Sequence, residues 1–139
     1  MDLEKVSAPE FGASLHGIGL NILMRDVNAS CAMLETVFDM TSFLRTADFA
    51  ILQSGGMVMQ LHGDHTYHSN PLPSLLPESG PRGAGIEIRL YDVDPGKAEA
   101  RAAAAGMVVL QSCTDKPHGL RECYLLDRDG YAWVPSRVL

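Results

Sequence analysis

Two charged residues of opposite sign stand two positions apart in a stretch that alternates polar and apolar side chains. One apolar residue separates Glu87 from Arg89, so a strand would place both side chains on the same face. Such a pair can act as an acid and a base, or the guanidinium can hold a substrate carboxylate. The alternative is a structural ion pair on a solvated face of a sheet.

Three histidines follow one another at intervals of three residues: His62, His65 and His68. A surface metal site is conceivable, with Asp64 as a further ligand. Because Gly63 interrupts the segment where it leaves a strand, a polar loop at the rim of a cavity is the simpler interpretation. His62 alone is a candidate hydrogen-bonding group or general base.

The elements that must position these residues are duplicated along the chain. Residues 19–28 align without a gap on residues 85–94. Both stretches begin with Gly, contain an Asp-Val pair and alternate apolar residues with period two, which predicts a strand packed on one face. A helix follows each strand, with Asn28 as the predicted N-cap of the first, and Asp94 before Pro95 as that of the second.

Each half then ends in a predicted hairpin that one further strand precedes. The strands fall near residues 41–45, 49–53 and 57–61 in the first half, and near 107–112, 122–126 and 131–134 in the second. The sequence therefore predicts an α+β protein of two paired βαβββ modules that form a curved mixed sheet around one cavity.

The predicted modules cover residues 15–62 and 85–139. A connector at residues 63–84 holds four of the eight prolines, which predicts little regular structure. Residues 1–14 are interpreted as an N-terminal arm or tail.

This organisation resembles the vicinal oxygen chelate superfamily, which includes glyoxalase I, bleomycin-resistance proteins, fosfomycin-resistance proteins and extradiol dioxygenases. The openings at residues 19–28 and 85–94 carry the resemblance, together with the Asp-x-Asp-Gly-Tyr turn at residues 127–131. One fold hosts many chemistries, so the resemblance implies the architecture more strongly than the reaction. It also implies a homodimer, because relatives commonly dimerise.

In the metal-dependent members, four side chains from the first and last strands of the modules hold one divalent ion. The matching positions here are Gly19, Gln60, Gly85 and Val134. Glycine and valine offer no side-chain donor, and Gln60 offers one weak amide oxygen, whereas a transition metal needs three or four donors. We therefore expect no metal and no other cofactor.

The same alternation predicts which side chains line the cavity and which face the helices. The predicted substrate-binding residues are the polar groups of the cavity face, namely Asn21, Gln60, His62, Glu87 and Arg89. The apolar residues predicted to face the helices are Leu20, Ile22, Met24, Met57, Met59, Leu61, Ile86, Ile88, Leu90 and Trp133. A wall of mixed apolar and polar groups suits a small-molecule ligand.

Composition narrows the class of partner. The chain has 139 residues, of which 46% are hydrophobic and 20% charged, as in ordinary globular proteins. Its net charge of −6 and lack of a basic cluster argue against nucleic acid and anionic membranes as partners. Cys31, Cys113 and Cys123 are interpreted as reduced thiols, and no secretory signal is recognised, so we expect a cytoplasmic protein.

Three functions follow, in this order. The first is a metal-independent protein, similar to the bleomycin-resistance branch, that binds a small organic molecule. The second is a lyase or isomerase of the glyoxalase type, either metal-dependent or with Glu87 or His62 as the base. A dioxygenase is disfavoured, because two histidines and a carboxylate are absent from the ligand positions. The third is a structural or regulatory module with a vestigial cavity.

Overall fold

The computed structural model describes residues 1–83 and 85–139, and the chain forms two units. The first comprises Met1–Glu35 and Met40–Pro73, and the second comprises Thr36–Asp39 and Ser74–Leu139. Ala84, the last residue of the predicted connector, lies outside the described residues.

The first module holds one four-stranded mixed sheet. Its elements are β1 (Asn21–Met24), α2 (Val27–Phe38), β2 (Thr41–Phe43), β3 (Phe49–Ser54) and β4 (Met57–Gly63), preceded by α1 (Ala8–Ser14). The strand order is β1-β4-β3-β2, with β1 parallel to β4 and the other neighbours antiparallel. Two short 3₁₀ helices follow, at Asp64–Thr66 and Leu72–Leu75.

The second module repeats this arrangement. Its elements are β5 (Glu87–Tyr91), α3 (Pro95–Ala102), β6 (Val108–Asp115), β7 (Leu120–Leu126) and β8 (Ala132–Val138). The order β5-β8-β7-β6 matches that of the first sheet, and β5 is parallel to β8 as β1 is to β4. The predicted α+β fold of two βαβββ modules is confirmed, and both predicted hairpins form.

Most of the predicted helix-facing residues are buried, because alternation holds inside the strands. Those buried are Ile22, Met24, Met59, Leu61, Ile88, Leu90 and Trp133. The prediction is wrong for Leu20, Met57 and Ile86, which are exposed. Leu20 and Ile86 precede their strands and Met57 is the first residue of β4, so the strand periodicity does not orient them.

The N-cap prediction is confirmed for one of the two repeated helices. Asp94 Oδ1 accepts the backbone N–H groups of Gly96 and Lys97 at 2.9 and 3.2 Å, and α3 begins at Pro95. For α2 the cap is Asp26, whose Oδ1 accepts from the Ala29 N–H at 2.9 Å. The helix begins at Val27, one residue before the predicted cap.

A short helix lies in the predicted N-terminal arm. Ser7 and Glu10 form a reciprocal capping box, with Glu10 N–H donating to Ser7 Oγ at 3.3 Å and Ser7 N–H to Glu10 Oε2 at 3.0 Å. Phe11 is the buried residue of this helix. The Ser-x-x-Glu spacing at residues 7–10 is the sequence signal for it. Among residues 1–83 and 85–139, no helix has the length and apolar character needed to cross a bilayer.

The turn between β7 and β8 is organised by a buried carboxylate. Asp127 Oδ1 accepts the backbone N–H groups of Asp129 and Tyr131 at 2.9 and 3.0 Å, and its Oδ2 accepts Trp133 Nε1–H at 2.8 Å. Burial raises the pKa of Asp127, while these three donors favour the charged form. The carboxylate thus joins the turn to the largest fully buried side chain, the Trp133 indole.

The same turn holds the end of the connector. The Arg82 N–H donates to Asp129 O at 3.0 Å, and the Gly83 N–H donates to Gly130 O at 3.2 Å. Gly130 has φ of +84°, and a side chain there would clash with the backbone of Pro81. Glycine at 130 therefore permits both the turn and the close approach of the connector.

We expect Asp127→Ala to lower the free energy of unfolding by about 2–3 kcal/mol, because it leaves the buried indole N–H without an acceptor. Asp115→Ala is the matched control. It removes an exposed ion pair with Arg121, with Nε–Oδ1 of 2.6 Å, and should cost much less than Asp127→Ala, because water screens the pair. Urea unfolding followed by Trp133 fluorescence measures both. Equal costs for the two variants would contradict the role given to Asp127.

Candidate functional site

An open cavity of about 810 Å³ lies on the second sheet. On β7, Tyr124 and Leu126 line the cavity. Cys123, which precedes them, points to the opposite face, where its Sγ contacts Pro95 O of α3 at 3.6 Å. The cavity is therefore on the face of the sheet away from α3. The apolar residues of the lining are Pro81, Ile86, Leu110, Leu126 and Ala132. This volume falls in the range of sites for small organic ligands, about 300–1,000 Å³.

Strand pairing sets the floor of the cavity. Glu87 of β5 is paired with Ala132 of β8, which is paired with Leu126 of β7, so one row crosses three strands. The edge strand β6 contributes Leu110, and the connector contributes Pro81, which the β7–β8 turn holds in place. Ile86, predicted to face a helix, lies in this lining because Gly85, with φ of +95°, breaks the extended backbone before it.

Glu87 and Arg89 lie on the cavity face together, as the i, i+2 spacing predicts. Arg89 Nη1 is 3.1 Å from Glu87 Oε2. The other terminal nitrogen, Arg89 Nη2, contacts Glu122 Oε2 in a second ion pair. The guanidinium also lies over the Tyr91 ring, with Cζ 5.8 Å from the ring centroid. Arg89 is therefore held on several sides by contacts within the protein.

Sequence reasoning missed Glu122, the most buried charged residue of the site. It is 1% exposed and sits on β7 in register with Ser136 of β8. Besides Arg89, its carboxylate has His118 Nε2 at 3.5 Å. Strand β7 begins at Leu120, two residues before the predicted strand, and this extension places Glu122 inside the sheet.

The partners of Glu87 keep its carboxylate ionised. A hydrogen bond from the Tyr124 hydroxyl, and then Arg89, hold the pKa of Glu87 below its usual value. The same hydrogen bond raises the pKa of Tyr124. Burial alone would lower the pKa of Arg89, but Glu122 and Glu87 raise it. At neutral pH the site therefore holds a carboxylate and a guanidinium, and Glu87 is a weak proton acceptor.

The first sheet brings together the other predicted residues. Asn21 pairs with Gln60 in the β1–β4 register, and His62 Nε2 lies 3.3 Å from Gln60 Oε1. The His62 ring packs against Phe49 and Tyr67, with both centroids 5.2 Å away. Burial lowers the pKa of His62, so the imidazole is neutral at pH 7.

The other two histidines of the 62–68 segment do not share a site with His62. His65 Nε2 lies 2.5 Å from Asp48 Oδ1 on the surface, and His68 is exposed. Within the part of the chain that the structure describes, no three His, Cys, Asp or Glu side chains form a group that could hold a metal ion.

The residues at the four positions where metal-dependent relatives hold an ion do not have the side chains to bind a metal. Gly19 and Gly85 have no side-chain donor and precede β1 and β5, and Val134 is a buried hydrocarbon. The Gln60 amide is engaged with His62. One amide oxygen is too few donors for a transition metal. The metal-free cavity rests on this donor chemistry and stays a prediction.

Solved structures described as glyoxalase/bleomycin resistance/dioxygenase proteins share this two-module fold. A family enzyme of that description from Burkholderia phytofirmans PsJN has a TM-score of 0.72 and 22% identity, covering 86% of this chain and 96% of that one. A glyoxalase-related enzyme from Fulvimarina pelagi has a TM-score of 0.68 and 18% identity, covering 88% of each chain.

The fosfomycin resistance protein FosX from Mesorhizobium loti has a TM-score of 0.61 and 15% identity, covering 90% of this chain and 94% of that one. The sequence matches no family model and no curated protein. Likeness at these identities shows the fold, so the resemblance to the vicinal oxygen chelate superfamily is confirmed at that level.

We expect Glu122→Ala to lower the free energy of unfolding by about 3–5 kcal/mol, because it removes one member of a buried ion pair. Glu87→Ala removes the more exposed partner of the same guanidinium and should cost less than about 1 kcal/mol. Replacing both members, in Arg89→Met with Glu122→Leu, should recover most of the loss. Urea unfolding measures all three variants, and equal costs for the two single glutamate variants would contradict this assignment.

Proposed function

We propose that the protein binds a small organic molecule in the cavity of the second sheet, without a metal. The observation that carries this proposal is an ionised carboxylate, that of Glu87, held by Arg89 and Tyr124 on an otherwise largely apolar wall. Ligand sites commonly combine an apolar lining with a few fixed polar groups.

The charges of the site favour a ligand that donates a hydrogen bond. Glu122 and Glu87 already neutralise Arg89, and the Tyr124 hydroxyl is used on Glu87. The Glu87 side chain is 42% exposed, and a carboxylate has about four acceptor positions, so some stay free. Lys116 is a nearby cation, but it does not line the cavity, and one of its three N–H donors is bonded to Gln111 Oε1 at 3.1 Å. A protonated amine on a mainly apolar skeleton matches this arrangement best.

The names of proteins with the same fold support a small organic ligand. They include a fosfomycin resistance protein and proteins described by bleomycin resistance. The homodimer, the cytoplasmic location and the lack of a nucleic-acid partner remain part of the proposal, the last supported by the net charge of −6.

A panel of apolar primary amines and their matched carboxylic acids tests the proposal by thermal shift. We expect the amines to stabilise the protein and the acids not to, since a ligand at 100 times its Kd adds about 2.7 kcal/mol. Glu87→Gln should weaken amine binding about tenfold, the loss of one charge-assisted hydrogen bond. Glu78→Gln, an exposed site in the connector, is the control. Tighter binding of the acids, or equal affinity in Glu87→Gln, would overturn the assignment.

A second candidate is a lyase or isomerase of the glyoxalase type, either metal-dependent or with Glu87 or His62 as base. The neutral, half-buried imidazole of His62 favours it, because an uncharged imidazole can accept a proton. The lowered pKa of Glu87 makes that carboxylate the weaker base.

Turnover of the hemithioacetal of glutathione and methylglyoxal separates the two candidates. We expect no turnover with or without added Ni²⁺, Zn²⁺ or Mn²⁺, and no stoichiometric metal in the purified protein. Turnover that is lost in His62→Gln and kept in His16→Gln, a change at an exposed histidine, would establish the enzyme instead. Turnover that requires the added ion would establish its metal-dependent form.

A further inference from the structure

Two thiols lie next to each other on the face of the second sheet that packs against α3. Cys123 of β7 is fully buried, and Cys113 of the edge strand β6 is half-buried. The register of β6 and β7 places Cys113 beside Cys123, and the two thiols interact electrostatically. Neither belongs to the cavity lining, which is on the opposite face.

An irregularity in strand pairing produces this juxtaposition. Gln111 pairs with Tyr124, and the next pair is Thr114 with Glu122, so two residues of β6 stand opposite Cys123 alone. Such a bulge adds one residue and bends the strand locally. Because β6 has a neighbour on one side only, its backbone can adjust without breaking a second ladder. A disulfide needs that freedom, since its two sulfurs must approach to about 2.05 Å.

A cleft gives a small oxidant access to one of the two thiols. It measures about 430 Å³, and Cys113 is the cysteine in its lining. The charged residues around it are Asp94, Glu99, Asp115, Arg121 and Arg137. Cys123 lies behind, with its Sγ against Pro95 O. The arrangement thus offers one accessible thiol and one buried thiol beside it.

We propose that Cys113 and Cys123 are a site of reversible oxidation, at which hydrogen peroxide converts the two thiols into an intramolecular disulfide. The Cys113 thiolate attacks one oxygen of hydrogen peroxide, the S–O bond forms as the O–O bond breaks, and the departing hydroxide takes up the proton lost by the thiol to give water. The Cys123 sulfur then attacks the sulfenic sulfur, the S–S bond forms as the S–O bond breaks, and the hydroxyl group leaves with the Cys123 thiol proton as a second water. Each sulfur loses one electron, and hydrogen peroxide gains two.

The surroundings of the thiols make the reaction slow at neutral pH and faster in alkali. Burial and then Glu99 of α3 raise the pKa of Cys113, while Arg121 of β7 opposes the rise. Burial raises the pKa of Cys123 to about 12. Because the thiolate is the nucleophile, Cys113 reacts first and the rate rises with pH.

The test uses the full chain, reduced and freed of reductant, then treated with hydrogen peroxide. We expect the intact mass to fall by two hydrogens, free thiols to fall from three to one, and non-reducing peptide maps to join Cys113 to Cys123. Dithiothreitol should restore all three thiols. The rate should increase between neutral and mildly alkaline pH.

Variants locate the reaction. Cys113→Ser should abolish the disulfide, Cys123→Ala should stop oxidation at added oxygen on Cys113, and Cys31→Ser should react as the parent protein does. A disulfide that involves Cys31, or one that joins two chains, would overturn the proposal. Oxidation of the urea-unfolded chain but not of the native protein would also overturn it, because the native sheet would then prevent the bond from closing.

Discussion

The buried carboxylate of Glu122 governs how the second sheet presents its cavity, because a charge that is 1% exposed must be paired. Arg89 supplies the pairing charge, and its second arm reaches Glu87. Glu87 in turn accepts from Tyr124 and stays ionised. The pairing that this buried charge requires thereby fixes a hydrogen-bond acceptor, the Glu87 carboxylate, at the wall of the cavity.

A second buried carboxylate closes the same site from its edge. Asp127 ties the β7–β8 turn to the Trp133 indole, and the turn holds the connector through two backbone hydrogen bonds. Pro81 consequently lies against Gly130 and forms part of the cavity wall. The prolines of the connector disfavour regular structure, and its end at residues 81–83 is positioned by hydrogen bonds to the β7–β8 turn.

Inside the strands, side-chain alternation was enough to predict the buried faces and the shared face of Glu87 and Arg89. It failed at strand beginnings, where Leu20, Met57 and Ile86 are exposed. It also missed Glu122, because β7 carries polar and apolar residues on both faces and so shows no clear period. The Arg89–Glu122 pair joins residues far apart in the chain, and only the register of β5, β8 and β7 brings them into contact.

Strand β6 contributes a residue to the cavity on one face of its sheet and a residue to the cleft on the other. Leu110 on this strand lines the cavity, and Cys113, three residues further on and within the bulge, lines the cleft beside the two thiols. If a disulfide at Cys113 changes the free energy of ligand binding in the cavity, then a bound ligand must change the free energy of reducing that disulfide by the same amount. A ligand in the cavity would then change how readily the two thiols oxidise, and oxidation of the thiols would change how tightly the ligand binds.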